Sequence, residues 1–399
     1  MSAIFAEKSC DMEKLYEYFL RKLSSTPTKF FRYKFHDIKW QGRAFGIVGP
    51  RGVGKSTMLL QYIKLNLNTS DTLYVSADNV YFSASSLVAL ADNFVKMGGK
   101  HLFIDEIHKY PNWSRELKQI YDGYADLQIV ISGSSILDIY RGMSDLSRRI
   151  PMYEMQGLSF REYLALFHSI DVPVASLDDI IGNRVPLPVE HPLPLFHDYL
   201  RRGYYPFGRD EEFDIELMQV VSQTMETDIP LYLALNASMG HKLKSLLMVV
   251  AQSVPFKPVI QHIADATGLS RNNIPDYFLH MERAGMIAQL RDDTLELRGL
   301  GKVEKLYLDN TNLIYALAPT DANIGNVRET FFMNQMRVKN EVKAARISDF
   351  AIGNRTFEIG GKKKGSKQIA NAAEGYVVKD DIEYGFANVI PLWAFGMNY

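Results

Sequence analysis

GPRGVGKST, Gly49 to Thr57, decides how this chain is read. Gly49, Gly54, Lys55 and Ser56 satisfy the spacing G-x-x-x-x-G-K-[ST]. The stretch follows the β-rich run AFGIV (Ala44 to Val48) and opens the helical run TMLLQYIKL. Strand, glycine-rich turn and helix are the context in which that spacing cradles phosphate. Across Gly49, Pro50, Arg51, Gly52, Val53 and Gly54 the backbone can turn its N–H groups toward phosphate oxygens, and the start of the helix adds a favourable dipole. Lys55 then places a point charge at the β- and γ-phosphates. The Ser56 hydroxyl can ligate Mg²⁺, and Thr57 completes the loop. The expected ligands are ATP, or its product ADP, and Mg²⁺.

Working outward, HLFIDEIHKY (His101 to Tyr110) is an apolar strand ending in Asp105 and Glu106. Asp105 is placed to hold Mg²⁺ through water. Glu106, one residue on, can orient or deprotonate an attacking water, so the pair points to hydrolysis rather than storage. Asp105 to His108 also reads D-E-x-H, but the arginine-rich motifs of a helicase are missing downstream. His108 is therefore read as a cap or surface residue. QIVI (Gln128 to Ile131) delivers Ser132, Gly133, Ser134 and Ser135 to the same sheet edge. A small polar residue there can contact the γ-phosphate or the water, although SGSS is also an ordinary strand-to-helix turn. DLSRRI then presents Arg148 and Arg149.

Other β-rich runs, TLYVS (Thr72 to Ser76) and MYEM (Met152 to Met155), alternate with amphipathic stretches. That is the pattern of an α/β core with a mainly parallel sheet, residues 1–156. Five of the sixteen prolines fall between Pro173 and Pro194, which marks a connecting segment within 157–240. In 241–309, Ile260, Ile263 and Ala264, then Ile274, Tyr277, Phe278 and Met281, fall at helical spacing around Gly268. They predict a helix-turn-helix whose second helix starts near Arg271 to Asn273, because Pro275 fits only in a first turn. IAQL and KLYL supply the hairpin of a winged helix. Residues 310–399 mix helix and strand.

Composition sets the outer bounds. The net charge of -1 gives no global field toward nucleic acid or membrane. Between Arg328 and Lys367, however, ten basic residues face four acidic ones, a patch that suits either a phosphate backbone or a solvated loop. Cys10 is the only cysteine, so an internal disulfide and a multi-cysteine metal site are excluded. Glu7 and Lys8 interrupt what a secretion signal would need, and no apolar run of about 18 residues occurs. The expectation is a cytoplasmic protein with no membrane contact.

GPRGVGKST, IDEIHKY, the SGSS strand, the arginine turn with GLSFREYL (Gly157 to Leu164), YLRRGYYP (Tyr199 to Pro206), the helix-turn-helix and KLYLDNTNLIYAL (Lys305 to Leu317) together resemble prokaryotic AAA+-like P-loop ATPases. The resemblance covers most of the chain. It implies a sheet with one strand inserted between the phosphate-loop strand and the Asp105 strand. It makes Ser132 the sensor and Arg149 the arginine finger; Arg148 stands where the family tends to have glycine, so two guanidinium groups compete for that role. The resemblance also implies a C-terminal restriction-endonuclease-like fold, with Glu329 in GNVRETFF, Asp349 in RISDFAI and Glu358 in FEIGG as a second candidate Mg²⁺ site. Glu358-Ile359-Gly360 lacks the lysine of an E-x-K pair, and the nearest lysines are Lys362, Lys363 and Lys364. A domain retained for binding or structure is therefore expected over an active nuclease.

The sequence reads as an α/β parallel-sheet P-loop NTPase core, a helical and winged-helix middle and an α/β nuclease-like C-terminal domain. The expected activity is Mg²⁺-dependent ATP hydrolysis driving a switch or motor. DNA, through the basic patch and winged helix, and a second copy of the chain are the expected partners. The alternatives are an ATP-responsive DNA-binding regulator with little turnover and an ATP-gated nuclease.

Overall fold

The computed structural model describes residues 2–133, 146, 148–253, 257–292, 302–318 and 322–399, without the side chains of residues 2–11 and 237. Ser134 and Ser135 lie outside the described residues, as does the Cys10 side chain. The chain divides into two compact units, Met1–Gln156 and Gly157–Tyr399.

In the first unit, β1 (Ala44–Val48), β2 (Thr72–Ser76), β3 (His101–Asp105), β4 (Gln128–Gly133) and β5 (Met152–Glu154) form one sheet in the order β2-β3-β4-β1-β5. Every pairing is parallel. β1 and β2 are buried along their whole length, as their unbroken apolar runs require of strands covered on both faces. Helix α1 (Ser2–Ser25) packs on β2 and on α2 (Lys55–Asn66), while α3 (Leu87–Lys96) packs on α4 (Trp113–Gly123). The inserted strand implied by the resemblance is β4, which lies between β1 and β3. Register then does the positioning: Ile47 sits opposite Ser132, and Ser76 opposite Asp105. The phosphate loop, Asp105 and Ser132 thus emerge side by side from the carboxyl ends of adjacent strands, where parallel sheets bind their ligands.

The second unit holds the expected pair of short helices, Ile260–Thr267 and Ile274–Arg283. Gly268 closes the first at φ 64°, a left-handed turn natural to glycine, and Pro275 sits in the first turn of the second. The strands β6 (Ile287–Arg291) and β7 (Val303–Leu308) pair as an antiparallel hairpin. A mixed sheet follows, in the order β12-β11-β10-β9-β8, from β8 (Lys343–Ala344), β9 (Phe350–Ile352), β10 (Arg355–Gly360), β11 (Gly375–Lys379) and β12 (Val389–Pro391).

The expected boundary at 309/310 runs through a buried polar network. Asn312 accepts from the Tyr204 amide at 2.9 Å and donates to the Tyr199 and Leu200 carbonyls at 3.2 and 3.0 Å. Asp309, 2 % exposed, takes the Tyr204 hydroxyl at 3.2 Å and pairs with Arg337. YLRRGYYP and KLYLDNTN therefore meet in the interior. Buried polar groups need such partners, and a satisfied network fixes one arrangement of the elements that carry it.

Candidate nucleotide site

Gly49 passes so close to Met155 that a Cβ there would lie 2.0 Å from its carbonyl oxygen, and Gly54 adopts φ 95° just before α2. Only glycine satisfies both demands without strain. Arg32, 4 % exposed, braces the loop from outside it, donating to the Val53 carbonyl and, at 2.7 Å, to the Gln156 carbonyl. Lys55 is buried at the start of α2, and its ammonium donates to the carbonyls of Gly49 at 2.9 Å and Pro50 at 2.8 Å. Burial pulls its pKa down to about 8, against the opposing pull of Glu106 and Asp105 and with the Arg51 and Arg32 charges adding to it. Lys55 is thus not the sole cation acting at the loop.

Asp105 is 3 % exposed at the end of β3. One carboxylate oxygen, Oδ1, accepts from the Ser132 hydroxyl and from the Glu106 amide at 3.0 Å; the other, Oδ2, accepts from the Tyr74 hydroxyl at 2.5 Å. The Ser56 side chain acts on the same phenol, and burial first, then Asp105, pushes its pKa well above the usual phenol range. Ser132, expected to face the γ-phosphate, is fully buried with its hydroxyl on Asp105. Ser56 and Asp105, the two candidate Mg²⁺ ligands, are therefore brought together with Tyr74 between them. A hydroxyl beside an oriented carboxylate is a donor set suited to that hard ion.

Glu106 takes a left-handed backbone at φ 50°, uncommon for a residue with a side chain and frequent at functional sites. The following single helical turn, Ile107–Lys109, curls His108 back so that its Nε2 lies 3.3 Å from Glu106 Oε2. The His108 side chain is 4 % exposed, which corrects its reading as a cap or surface residue. Arg148 is exposed, and Arg149 pairs with Asp122 at the end of α4, Nε to Oδ1 3.1 Å. Neither arginine is among the groups on Asp105 or Lys55.

In the second unit the three C-terminal carboxylates do meet, but around lysines. Lys305 of β7 bridges Glu329 at 3.1 Å and Asp349 at 3.2 Å, Tyr307 donates to Glu329 at 2.7 Å, and Lys364 pairs with Glu358. Asp349 Oδ2 takes the Ile359 amide at 2.9 Å. Burial raises the pKa of Glu329 and of Glu358. The expected second metal site thus holds lysines beside its three carboxylates. Among the described residues, His197, Asp380 and Asp381 are the group that brings three such ligand atoms within 4.8 Å of one another. The basic patch is also smaller than its sequence count. Arg328, Arg337 and Arg355 are committed to Asp380, Asp309 and Asp178, whereas Lys362, Lys363 and Lys367 are exposed.

Tyr74 and Lys305 are not singled out in the sequence, and His108 reads there only as a cap or surface residue. Sheet register brings Tyr74 to Asp105, a local turn brings His108 to Glu106, and tertiary packing brings Lys305 to Glu329 and Asp349.

Residues 41–164 match the family model described as AAA domain. The match supports a nucleotide-binding ATPase domain of the AAA type in that segment. No curated protein matches the chain. Among solved structures it is similar to the S. cerevisiae Hsp104-ADP complex at 16% identity and TM-score 0.28, covering 66% of this chain and 37% of that one. It is also similar to C. elegans PCH-2 at 15% identity and TM-score 0.25, covering 68% of this chain and 66% of that one. The chain thus spans less than two thirds of either relative. Among the described residues, no helix is long and apolar enough to cross a membrane.

Proposed function

We propose that this chain is a Mg²⁺-dependent ATPase that works as a molecular switch or motor. The observation that carries the reading is the convergence of Lys55, Ser56, Asp105 and Glu106 at the carboxyl ends of β1 and β3. Lys55 would meet the β- and γ-phosphates, exchanging its loop carbonyls for phosphate oxygens. Ser56 and, through water, Asp105 would hold Mg²⁺, which would supply charge neutralisation. Glu106 would orient the attacking water and take its proton, with His108 fixing the carboxylate's direction.

The test is a pair of variants. Lys55→Ala should lose about 3 kcal/mol of nucleotide affinity, ~10²-fold, the upper range for a charged hydrogen bond. Glu106→Gln should bind normally and hydrolyse ~10²- to 10⁴-fold more slowly. Equal loss of affinity in both would overturn the assignment.

DNA contact is the second reading, favoured by the exposure of Lys362, Lys363 and Lys367. Binding of duplex DNA should weaken steeply with salt, and neutralising these lysines should reduce the log–log slope by roughly 0.9 per lost phosphate contact. A slope that does not change would remove the patch from the interface. With the Glu329–Asp349–Glu358 cluster neutralised by lysines, DNA cleavage is not part of this reading.

A further inference from the structure

Resting on the nucleotide-site reading above, we propose that Tyr74 is a positioning residue for the divalent cation, its phenol on β2 setting the spacing and direction of the two candidate ligands, Ser56 and Asp105. Three observations carry this. First, the hydroxyl donates to Asp105 Oδ2 at 2.5 Å, and the Ser56 side chain acts on the same phenol, so one hydroxyl faces candidate ligands from two different elements. Second, Asp105 has its other oxygen loaded by Ser132 from β4 and by the Glu106 amide, so donors on both sides fix the plane of the carboxylate. Third, the Tyr74 ring is fully buried and stacks on Phe19 of α1, centroids 6.5 Å apart at 30°, so packing rather than solvent sets where the hydroxyl lies.

A carboxylate that holds a cation through water must present its lone pairs in a fixed direction, and losing an outer group that orients a ligand typically costs about 10- to 100-fold in metal affinity. The plainer role of Tyr74 is to fill the core beside α1. A phenylalanine would serve that role equally, and burying a hydroxyl is costly unless it is bonded.

Tyr74→Phe separates the two roles, because it keeps the ring on Phe19 and removes only the oxygen. The full chain would be titrated with a fluorescent ADP analogue in EDTA and then at rising Mg²⁺, and Mn²⁺ binding with nucleotide present would be counted by electron paramagnetic resonance. The expected result is metal-free nucleotide affinity within about twofold of wild type, with the Mg²⁺ or Mn²⁺ needed for half-saturation raised about tenfold, the lower end for an outer-sphere group. Ser132→Ala, which removes the donor on the other Asp105 oxygen, should shift metal affinity in the same direction and covers the case in which Tyr74→Phe does not fold. Unchanged or tighter metal dependence in the folded variants would overturn the proposal while leaving the nucleotide site intact. A wild-type chain that binds no nucleotide would overturn both.

Discussion

Each compact unit places one lysine among carboxylates. In Met1–Gln156, Lys55 gives its hydrogen bonds to carbonyls of its own loop, with Asp105 and Glu106 acting on it only through space; burial dominates, and its pKa falls to about 8. In Gly157–Tyr399, burial also works against the Lys305 ammonium, but Glu329 and Asp349 outweigh it and its pKa is raised. The difference lies in what remains for a ligand. Lys55 trades neutral carbonyls for a phosphate at little cost, whereas Lys305 already neutralises the carboxylates beside it. A buried cation without a committed counter-ion suits a site that receives anions; a closed ion network suits structure.

The largest effect that would sharpen this contrast concerns a cation supplied from elsewhere. Arg149 lies on Asp122, and it is the candidate arginine finger for a neighbouring copy's γ-phosphate. Arg149→Ala should bind ATP normally and hydrolyse it ~10³-fold more slowly, the lower end for such a finger. Wild-type specific activity should rise with protein concentration. Mixing Arg149→Ala with Lys55→Ala should restore some turnover, because one variant keeps the loop and the other keeps the finger. Activity independent of concentration, with no rescue in the mixture, would assign Arg149 to its own subunit or to the Asp122 contact alone.

What the sequence made legible follows from distance along the chain. The phosphate loop is nine consecutive residues, and Asp105 with Glu106 ends a single strand, so local spacing carries their geometry. All five expected strands of the core appear, four of them as short, largely apolar and buried runs between turns. Tyr74 and Ser132, by contrast, reach Asp105 only across β-sheet register, from strands 31 and 27 residues away. Lys305 stands 24 residues before Glu329 and 44 before Asp349. In KLYL it reads as the polar position of an alternating strand. A search confined to E-x-K spacing could not find it, since the ammonium comes from another element.

The second prediction breaks the closed network. Lys305→Met keeps much of the side-chain length and leaves Glu329 and Asp349, each 16% exposed, facing each other without their bridge. Removing one partner of a fully buried pair costs about 3–5 kcal/mol, and because Lys305 is itself 33% exposed the expected loss is discounted to about 2 kcal/mol. The thermal transition of the second unit should fall by roughly 4–8 °C. Glu329→Gln combined with Lys305→Met should recover part of it, since the unpaired charge is then gone. Nucleotide binding by the first unit should be unaffected. A Lys305→Met protein as stable as wild type that gains Mg²⁺ binding would show the lysine to be a placeholder in a working metal site.

The smallest effect tests the other acidic group of that unit. His197 Nε2 lies 3.3 Å from Asp381 and 3.9 Å from Asp380, but Arg328 already holds both aspartates, at 3.3 and 2.8 Å. The neighbouring Asp380 carboxylate, with Asp381 and against the cost of burial, raises the His197 pKa above its ordinary 6.5. The folded state therefore favours the charged imidazole. Its contribution is fully present below the unfolded value of 6.5 and is lost as pH rises through the raised folded value. Because the imidazole is 47% exposed, the contribution should stay under about 1 kcal/mol. Asp380, although burial works against its charge, is held below its ordinary 3.8 by His197 and Arg328, so its own contribution disappears only in stronger acid. His197→Gln should therefore lower the melting temperature at about pH 5.5 and leave it unchanged at about pH 8.5. Zn²⁺ should not raise the wild-type melting temperature at the higher pH, because the Arg328 guanidinium repels a second cation. A Zn²⁺-dependent rise that His197→Gln abolishes would mean that this group, unlike the Lys305 network, keeps room for a metal.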